Sequence, residues 1–275
     1  MAGLQKEIWL DILMENFYPN DSFLSKSRDM SSFVEYNKLN LAEIGVDPNV
    51  LVDNTSYPIP ISQRSDVPLE LPLSTLDTEN TLVRNVEEME SAYDKMASVV
   101  RQHQNSLRSK AAQLAAYNWA PSKQDAFNAV LAATGANGAL SFSDIIKLAG
   151  FYDDMDAPKE GRVLVLCPKH RRDLMAEDMK LYKMIFTDGT LYDFQIFSFS
   201  KNPTYTSAGV RNAFGAAGNI ASIAYHRDEV MRADGTVDMF SKLRDPEQRG
   251  DIVGFQKRFA ALSIRKKHSG AIYSE

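Results

Sequence analysis

The chain has a single cysteine, Cys167, in 275 residues. One cysteine cannot close an internal disulfide, so nothing points to an oxidising compartment. No run of about 18 apolar residues occurs, so no membrane-spanning helix is expected. Residues 1–10 lack the basic start and long apolar stretch of a secretory leader. Basic residues do not dominate either. Lys and Arg total 31 against 36 Asp and Glu, a formal charge of −5, which argues against general coating of nucleic acid. These absences point to a chain made in the cytoplasm, or to part of something assembled there. What is present is ordinary for a globular protein. The 44% of hydrophobic residues suffices for a sizeable core, in one large domain or two modest ones.

Residue types that carry chemistry are sparse. Cys167 stands near His170, but catalytic thiol–imidazole pairs are usually distant in sequence, and Cys167 continues an apolar run where cysteine behaves as a small hydrophobe. Asp153, Asp154, Asp156 and Glu160 form an acidic cluster without the glycine and terminal glutamate of a calcium loop, so solvated loop carboxylates are expected. Residues 209–218 contain three glycines but no Lys-Ser/Thr pair of a phosphate loop. His103, His170, His226 and His268 show no metal spacing. No catalytic residue, cofactor or metal site is expected.

Periodicity gives an outline. Apolar residues at helical spacing predict a short helix over residues 7–17, followed by an extended arm over 21–33. Residues 57–61 and 68–73 alternate like strands but carry prolines, which lack a backbone donor, so a long hairpin of edge strands is expected across 38–82. The dominant helix is expected over 86–117. Val86, Met89, Tyr93, Met96, Val100, Leu107, Ala111 and Leu114 fall three or four apart, and His103 fills the one longer gap. Further helices are expected at 122–130, from a cap at Ser143 to residue 151, and at 170–179. Strands are expected at 162–166, 191–200, 220–225 and 255–264. Helices and strands without regular βαβ alternation indicate the α+β class.

The order of these parts resembles the major capsid protein of tailed bacteriophages, the HK-ninety-seven-like fold. Tyr57-Pro58-Ile59-Pro60 with Arg64-Ser65-Asp66 is similar to the family's E-loop. Glu90-Ser91-Ala92-Tyr93-Asp94-Lys95 is similar to the start of its spine helix. Gly161-Arg162-Val163-Leu164-Val165-Leu166-Cys167-Pro168 resembles an A-domain strand and turn. Gly189-Thr190-Leu191-Tyr192-Asp193-Phe194-Gln195-Ile196, with Ser200-Lys201-Asn202-Pro203, resembles a later A-domain hairpin.

The resemblance implies an N-terminal helix and arm (1–44), an E-loop hairpin (45–85), a P-domain spine helix (86–121), an A-domain (122–235) and P-domain return strands (236–275). It implies a coat protein that assembles with itself as hexamers and pentamers into an icosahedral shell in the host bacterial cytoplasm. Such a shell encloses double-stranded DNA without reading its sequence and meets a portal. Scaffolding would come from a separate protein or a part already removed, and decoration proteins are further partners. An encapsulin-like nanocompartment shell is the nearest alternative, and a cytosolic α+β enzyme using Cys167 is the alternative from another class.

Charge suggests how copies meet. Residues 43–82 carry seven acids against one base, Arg64, whereas residues 241–267 carry eight bases against three acids. Under the resemblance these segments touch between subunits, with Arg64, Asp66, Glu70 and Asp77 facing Lys257, Arg258 and Arg265. The hairpin is expected to order only on assembly, because an isolated two-stranded hairpin is marginal. Some members of the family join a hairpin lysine covalently to a neighbour. Here no lysine occurs between Lys38 and Lys95, so that nucleophile is missing from the hairpin. Boiled shells are therefore expected to run as one monomer band on a denaturing gel; a ladder would contradict this.

Overall fold

A computed structural model describes residues 9–15, 17–19, 22–35, 38–43, 53–55, 58, 67–84 and 95–275. Residues 9–14 are helical. Strands β1 (Arg28–Asp29), β2 (Val34–Glu35), β3 (Lys38–Glu43), β4 (Val67–Pro72), β5 (Ser74–Asp77) and β6 (Thr81–Arg84) precede the long helix α1 (Lys95–Trp119). Then come β7 (Asn128–Ala132), α2 (Phe142–Asp154), β8 (Arg162–Leu166), α3 (Pro168–Glu177) and α4 (Met179–Asp188). The chain continues with β9 (Thr190–Leu191), β10 (Phe194–Ser198), β11 (Thr204–Tyr205), β12 (Asn219–His226), β13 (Val230–Asp245), β14 (Gly250–Ser263) and β15 (Ser269–Tyr273).

These strands form three sheets. The first runs β1-β13-β14-β5, with β6 following β5 along the same strand β14. The second runs β7-β15-β12-β8-β10-β9, with β11 on β12. The third is β2-β3-β4, in which β3 and β4 pair antiparallel from Lys38↔Pro72 to Glu43↔Val67.

Helix α1 lies on β14. Its 25 residues span about 37 Å. Met96, Val99, Val100, Leu107, Ala111, Ala112, Ala115, Ala116 and Trp119 are buried, at the three-and-four spacing that puts them on one face. The alanines near its end let the helix come close to the sheet. There Trp119 Nε1 donates to Met231 O at 3.2 Å and Asn118 Nδ2 donates to Ala261 O at 2.9 Å. Tyr225 OH donates to Phe23 O at 2.8 Å, which ties the N-terminal segment to the same core. Arg211 closes the helix by donating to the carbonyls of Tyr117 and Ala120, with its guanidinium 4.2 Å from the Tyr117 ring centre. Cations at a helix C-terminus are favoured by the helix dipole. The glycine-bearing loop 209–218 is thus built around a helix cap.

A buried charge binds the N-terminal helix to the sheet. Lys257 is 0% exposed; its Nζ lies 2.7 Å from Asp234 and 4.4 Å from the centre of the Phe17 ring. Tyr18 OH donates to the same carboxylate at 2.6 Å. Burial, reinforced by the Asp234 charge, raises the Tyr18 pKa and keeps the phenol protonated. A register shift in β13 between Asp234 and Val237 brings the aspartate to the lysine.

The second sheet is covered by α2, α3 and α4, and Ile145, Leu148, Tyr152, Leu174, Tyr182 and Ile185 are buried against Leu164, Leu166 and Phe194. Ser141 caps α2 in a capping box with Asp144. A methyl group built on Gly270 in β15 would stand 2.7 Å from Leu148 Cδ1, so only glycine allows this approach. Inside the sheet His170 bridges two hydroxyls, Ser222 Oγ at 2.7 Å and Ser274 Oγ at 2.6 Å.

Several expectations are corrected. Residues 122–130 are not a helix: Asp125 Oδ1 accepts from Phe127 N, forming a turn that leads into β7 beside β15. The α2 cap is Ser141, not Ser143. The hairpin, expected to extend to residue 85, gives way at 74 to β5 and β6, which are laddered onto β14 of the same chain. Residues 74–77 and 81–84 are therefore paired within one subunit and do not need assembly for order. Strand β13 begins at Val230, and residues 269–273 belong to the second sheet. The expected start of the long helix, and the strand expected at 57–61, lie outside the described residues.

Two stability tests follow. Truncating Lys257 to Ala removes the partner of a largely buried carboxylate and is expected to lower unfolding free energy by about 3 kcal/mol. Lys257→Met, which keeps the apolar stem, should lose less. Urea titration measures both, and an Ala variant within about 1 kcal/mol of wild type contradicts the role. Burial lowers the His170 pKa to about 4, helped by the Lys169 charge and opposed by Asp173. The unfolded chain then binds a proton that the folded one refuses, so stability falls as pH drops from about 6.5 to about 4, by up to about 3 kcal/mol. His226, also lowered by burial, adds to the slope. His170→Gln is expected to flatten the dependence in that window; an unchanged slope contradicts the assignment.

Candidate assembly surface

The residues expected to meet between subunits separate into distinct environments. Arg64 and Asp66 lie outside the described residues. Glu70 is in β4, opposite Asn40 of β3. Asp77 is exposed at the end of β5 and accepts a 2.7 Å hydrogen bond from Gln256 Nε2 of β14 in its own chain. Asp77 therefore has an uncharged amide partner within its own subunit. Lys257 is corrected outright: fully buried and paired with Asp234, it presents nothing to a neighbour. Arg258, the next residue, points to the opposite sheet face and is half-buried.

Arg265 is half exposed and grips a carboxylate beneath it. Its Nε donates to Glu229 Oε2 at 3.0 Å, and a second guanidinium nitrogen binds Oε1. Glu229 is 2% exposed, and His268 Nδ1 stands 3.6 Å from it. The hydrogen bonds and charge of Arg265, with the His268 ring beside them, outweigh burial and hold the Glu229 carboxyl down at about 2. Glu229 precedes β13 and Arg265 follows β14, so this group staples together two chain crossings between the first and second sheets.

The sequence pattern missed the most exposed feature. From Phe240 to Arg244 every residue of β13 is exposed, whichever side of the strand it faces. Side chains alternate between faces, so both faces of β13 are open over this stretch of the β13–β14 arm, while the β14 residues opposite are half-buried or buried and are flanked by β6. Phe240 is 58% and Leu243 40% exposed. Apolar residues at both parities beside Lys242 and Arg244, followed by a Pro-Glu-Gln-Arg-Gly turn, were the available signal. An arm that cannot bury such residues itself needs a partner to cover them.

The sites considered for chemistry are engaged structurally. Cys167 is fully buried, its Sγ accepts from His170 N, and burial pushes its thiol pKa up. A reactive thiol needs the opposite environment. Asp153 pairs with Arg162 at 2.7 Å, and Arg162, 1% exposed, also donates to the carbonyls of Ala157 and Pro158. Among the described residues no group of three or more His, Cys, Asp or Glu is placed to hold a metal ion.

No protein-family model and no curated protein sequence matches this chain. Solved structures do. A structure of Mycobacterium phage Che8 is 15% identical, with a TM-score of 0.64, over 91% of this chain and 90% of that one. The capsid of Cyanophage P-SCSP1u is 14% identical, with a TM-score of 0.65, over 91% and 86%. A virus-like particle from Pyrococcus furiosus is 11% identical, with a TM-score of 0.63, over 98% and 99%. Identities this low establish shared architecture, and the match extends over nearly the full length of each partner. Three sheets, a long helix laid along β14 and the β13–β14 hairpin thus make up an α+β architecture shared with the chain of the Cyanophage P-SCSP1u capsid.

Proposed function

We propose that this chain is the coat subunit of a tailed phage, building an icosahedral shell from hexamers and pentamers around double-stranded DNA. The observation that carries the reading is the near-complete coverage of capsid chains in both directions. Two further features support it. The β13–β14 arm exposes apolar residues on both faces, which suits a protein whose surface is completed by its neighbours. Buried His170 and Arg162 make their bonds to groups inside the subunit. The subunit's chief partner is itself; a portal, and scaffolding or decoration proteins, complete the particle, which assembles in the host bacterial cytoplasm. The reading has the chain catalyse nothing and need no cofactor.

A second reading, a nanocompartment shell, is favoured by the 98% and 99% coverage shared with the virus-like particle. Both readings require closed shells, and the enzyme alternative requires none. Electron microscopy of the purified chain is expected to show closed particles or rings. A homogeneous monomer under all assembly conditions contradicts both shell readings. Nucleic acid inside particles purified from infected cells would favour the phage coat, and a packaged enzyme would favour the nanocompartment.

A further inference from the structure

A groove of about 560 Å³ runs between α1 and β5. Thr75, Asp77 and Glu79 form one wall, Gln102 and Lys110 the other, and the buried ring of His103 lies between them. His103 Nε2 has no hydrogen-bond partner, which leaves a polar atom unsatisfied at this position. Among the described residues β5 is paired on one side only, by β14, so its other edge has free backbone groups. The groove is large enough for a few side chains.

We infer that this groove receives the β13–β14 arm of a second copy of the chain. The inference rests on the shell reading and names the contact. The arm carries what the groove lacks. Phe240 and Leu243 are large, apolar and exposed, and Arg244 and Arg249 are exposed cations at its tip. The groove wall offers two carboxylates, Asp77 and Glu79, at its open side. Arg244 and Arg249 both hold positive φ, 53° and 50°, a conformation unusual for side-chain-bearing residues, and Asp251 Oδ1 accepts from Arg244 N to fix the tip. A pre-shaped tip loses little entropy on docking. Groove and arm flank the same strand β14 at different places, so each subunit offers both halves of the contact. Such a head-to-tail contact closes into rings when the rotation allows.

Cysteine pairing tests the occupant directly, because the natural Cys167 is buried. Shells of Leu243→Cys combined with Ser106→Cys, oxidised and run without reductant, are expected to give a ladder of linked subunits, while each single variant gives none. Disulfides form only when Cα atoms approach within about 7 Å. Intact shells without a ladder overturn the inference and leave the shell reading standing. A ladder obtained only when Ile59→Cys replaces Leu243→Cys overturns it too, by giving the groove to the other hairpin. Absence of any particle from the wild-type chain defeats the shell reading, and the inference with it. Charge reversal gives a second measurement that survives misfolding of any one variant. Arg244→Glu with Arg249→Glu, and separately Asp77→Lys with Glu79→Lys, should each slow assembly about tenfold at low salt. Combining all four should recover to within about threefold of wild type. A combination no faster than its slower parent overturns the charge pairing on which the inference rests.

Discussion

The ammonium of Lys257, shut away from water between the N-terminal helix and β14, is the constraint on which the surrounding architecture depends. A lone buried cation is costly, so its surroundings must supply compensation. Asp234 provides the countercharge, Tyr18 holds that carboxylate, and the Phe17 ring covers the cation. Asp234 comes from the neighbouring strand β13, whereas Phe17 and Tyr18 are adjacent in the N-terminal segment, so the cation is covered only when that segment lies on the sheet. Once it does, Phe23 and Leu24 are carried into the core beside Trp119, and Arg232 donates to Leu24 O at 2.7 Å. The segment expected to be a loose arm is thereby fixed at its root. Burial of one charge converts a weakly apolar stretch into an anchored part of the subunit.

The same logic recurs at smaller scale. Arg162 and His170 are buried polar groups inside the second sheet, and Glu229 is buried at the junction of two sheets. Their partners are backbone carbonyls, serine hydroxyls, the Asp153 carboxylate and the Arg265 guanidinium, arrangements that give unique geometry and little reactivity. Groups that would be reactive elsewhere, such as the Cys167 thiol, are silenced by the packing that makes the sheet rigid. A rigid interior beside open-faced projections is what a building block requires, since complementarity must be reproduced in every copy.

Local periodicity and length made much of this legible. The long helix, the buried strand at 162–166, the strand at 220–225 and the α+β class are visible because each rests on contacts that repeat along the sequence. What was hidden depends on partners far away. Residues 122–130 have helical composition, yet β7 forms because β15, some 140 residues later, pairs with it. β13, the longest strand among the described residues, was unreadable because its residues 240–244 are all exposed and its register shift breaks alternation. Charge counting failed at Lys257 for a related reason. Lys257 and Arg258 count alike in a segment sum, but a strand sends neighbours to opposite faces, one into the core and one outward. The acidic count also could not show that the strand carrying Asp77 pairs with β14 of its own chain.

The placement of β15 also governs the timing of folding. It is an inner strand of the second sheet, between β7 and β12, while the long β13–β14 hairpin precedes it in the chain. During synthesis, at about 5–20 residues per second, the first sheet can close while the second still has a gap through its middle. Contacts separated by more than a hundred residues close slowly, because the intervening chain must first be confined. A chain in which β15 has not yet paired therefore has its first sheet complete and its second still open between β7 and β12. The topology thus makes the second sheet the later of the two to become continuous.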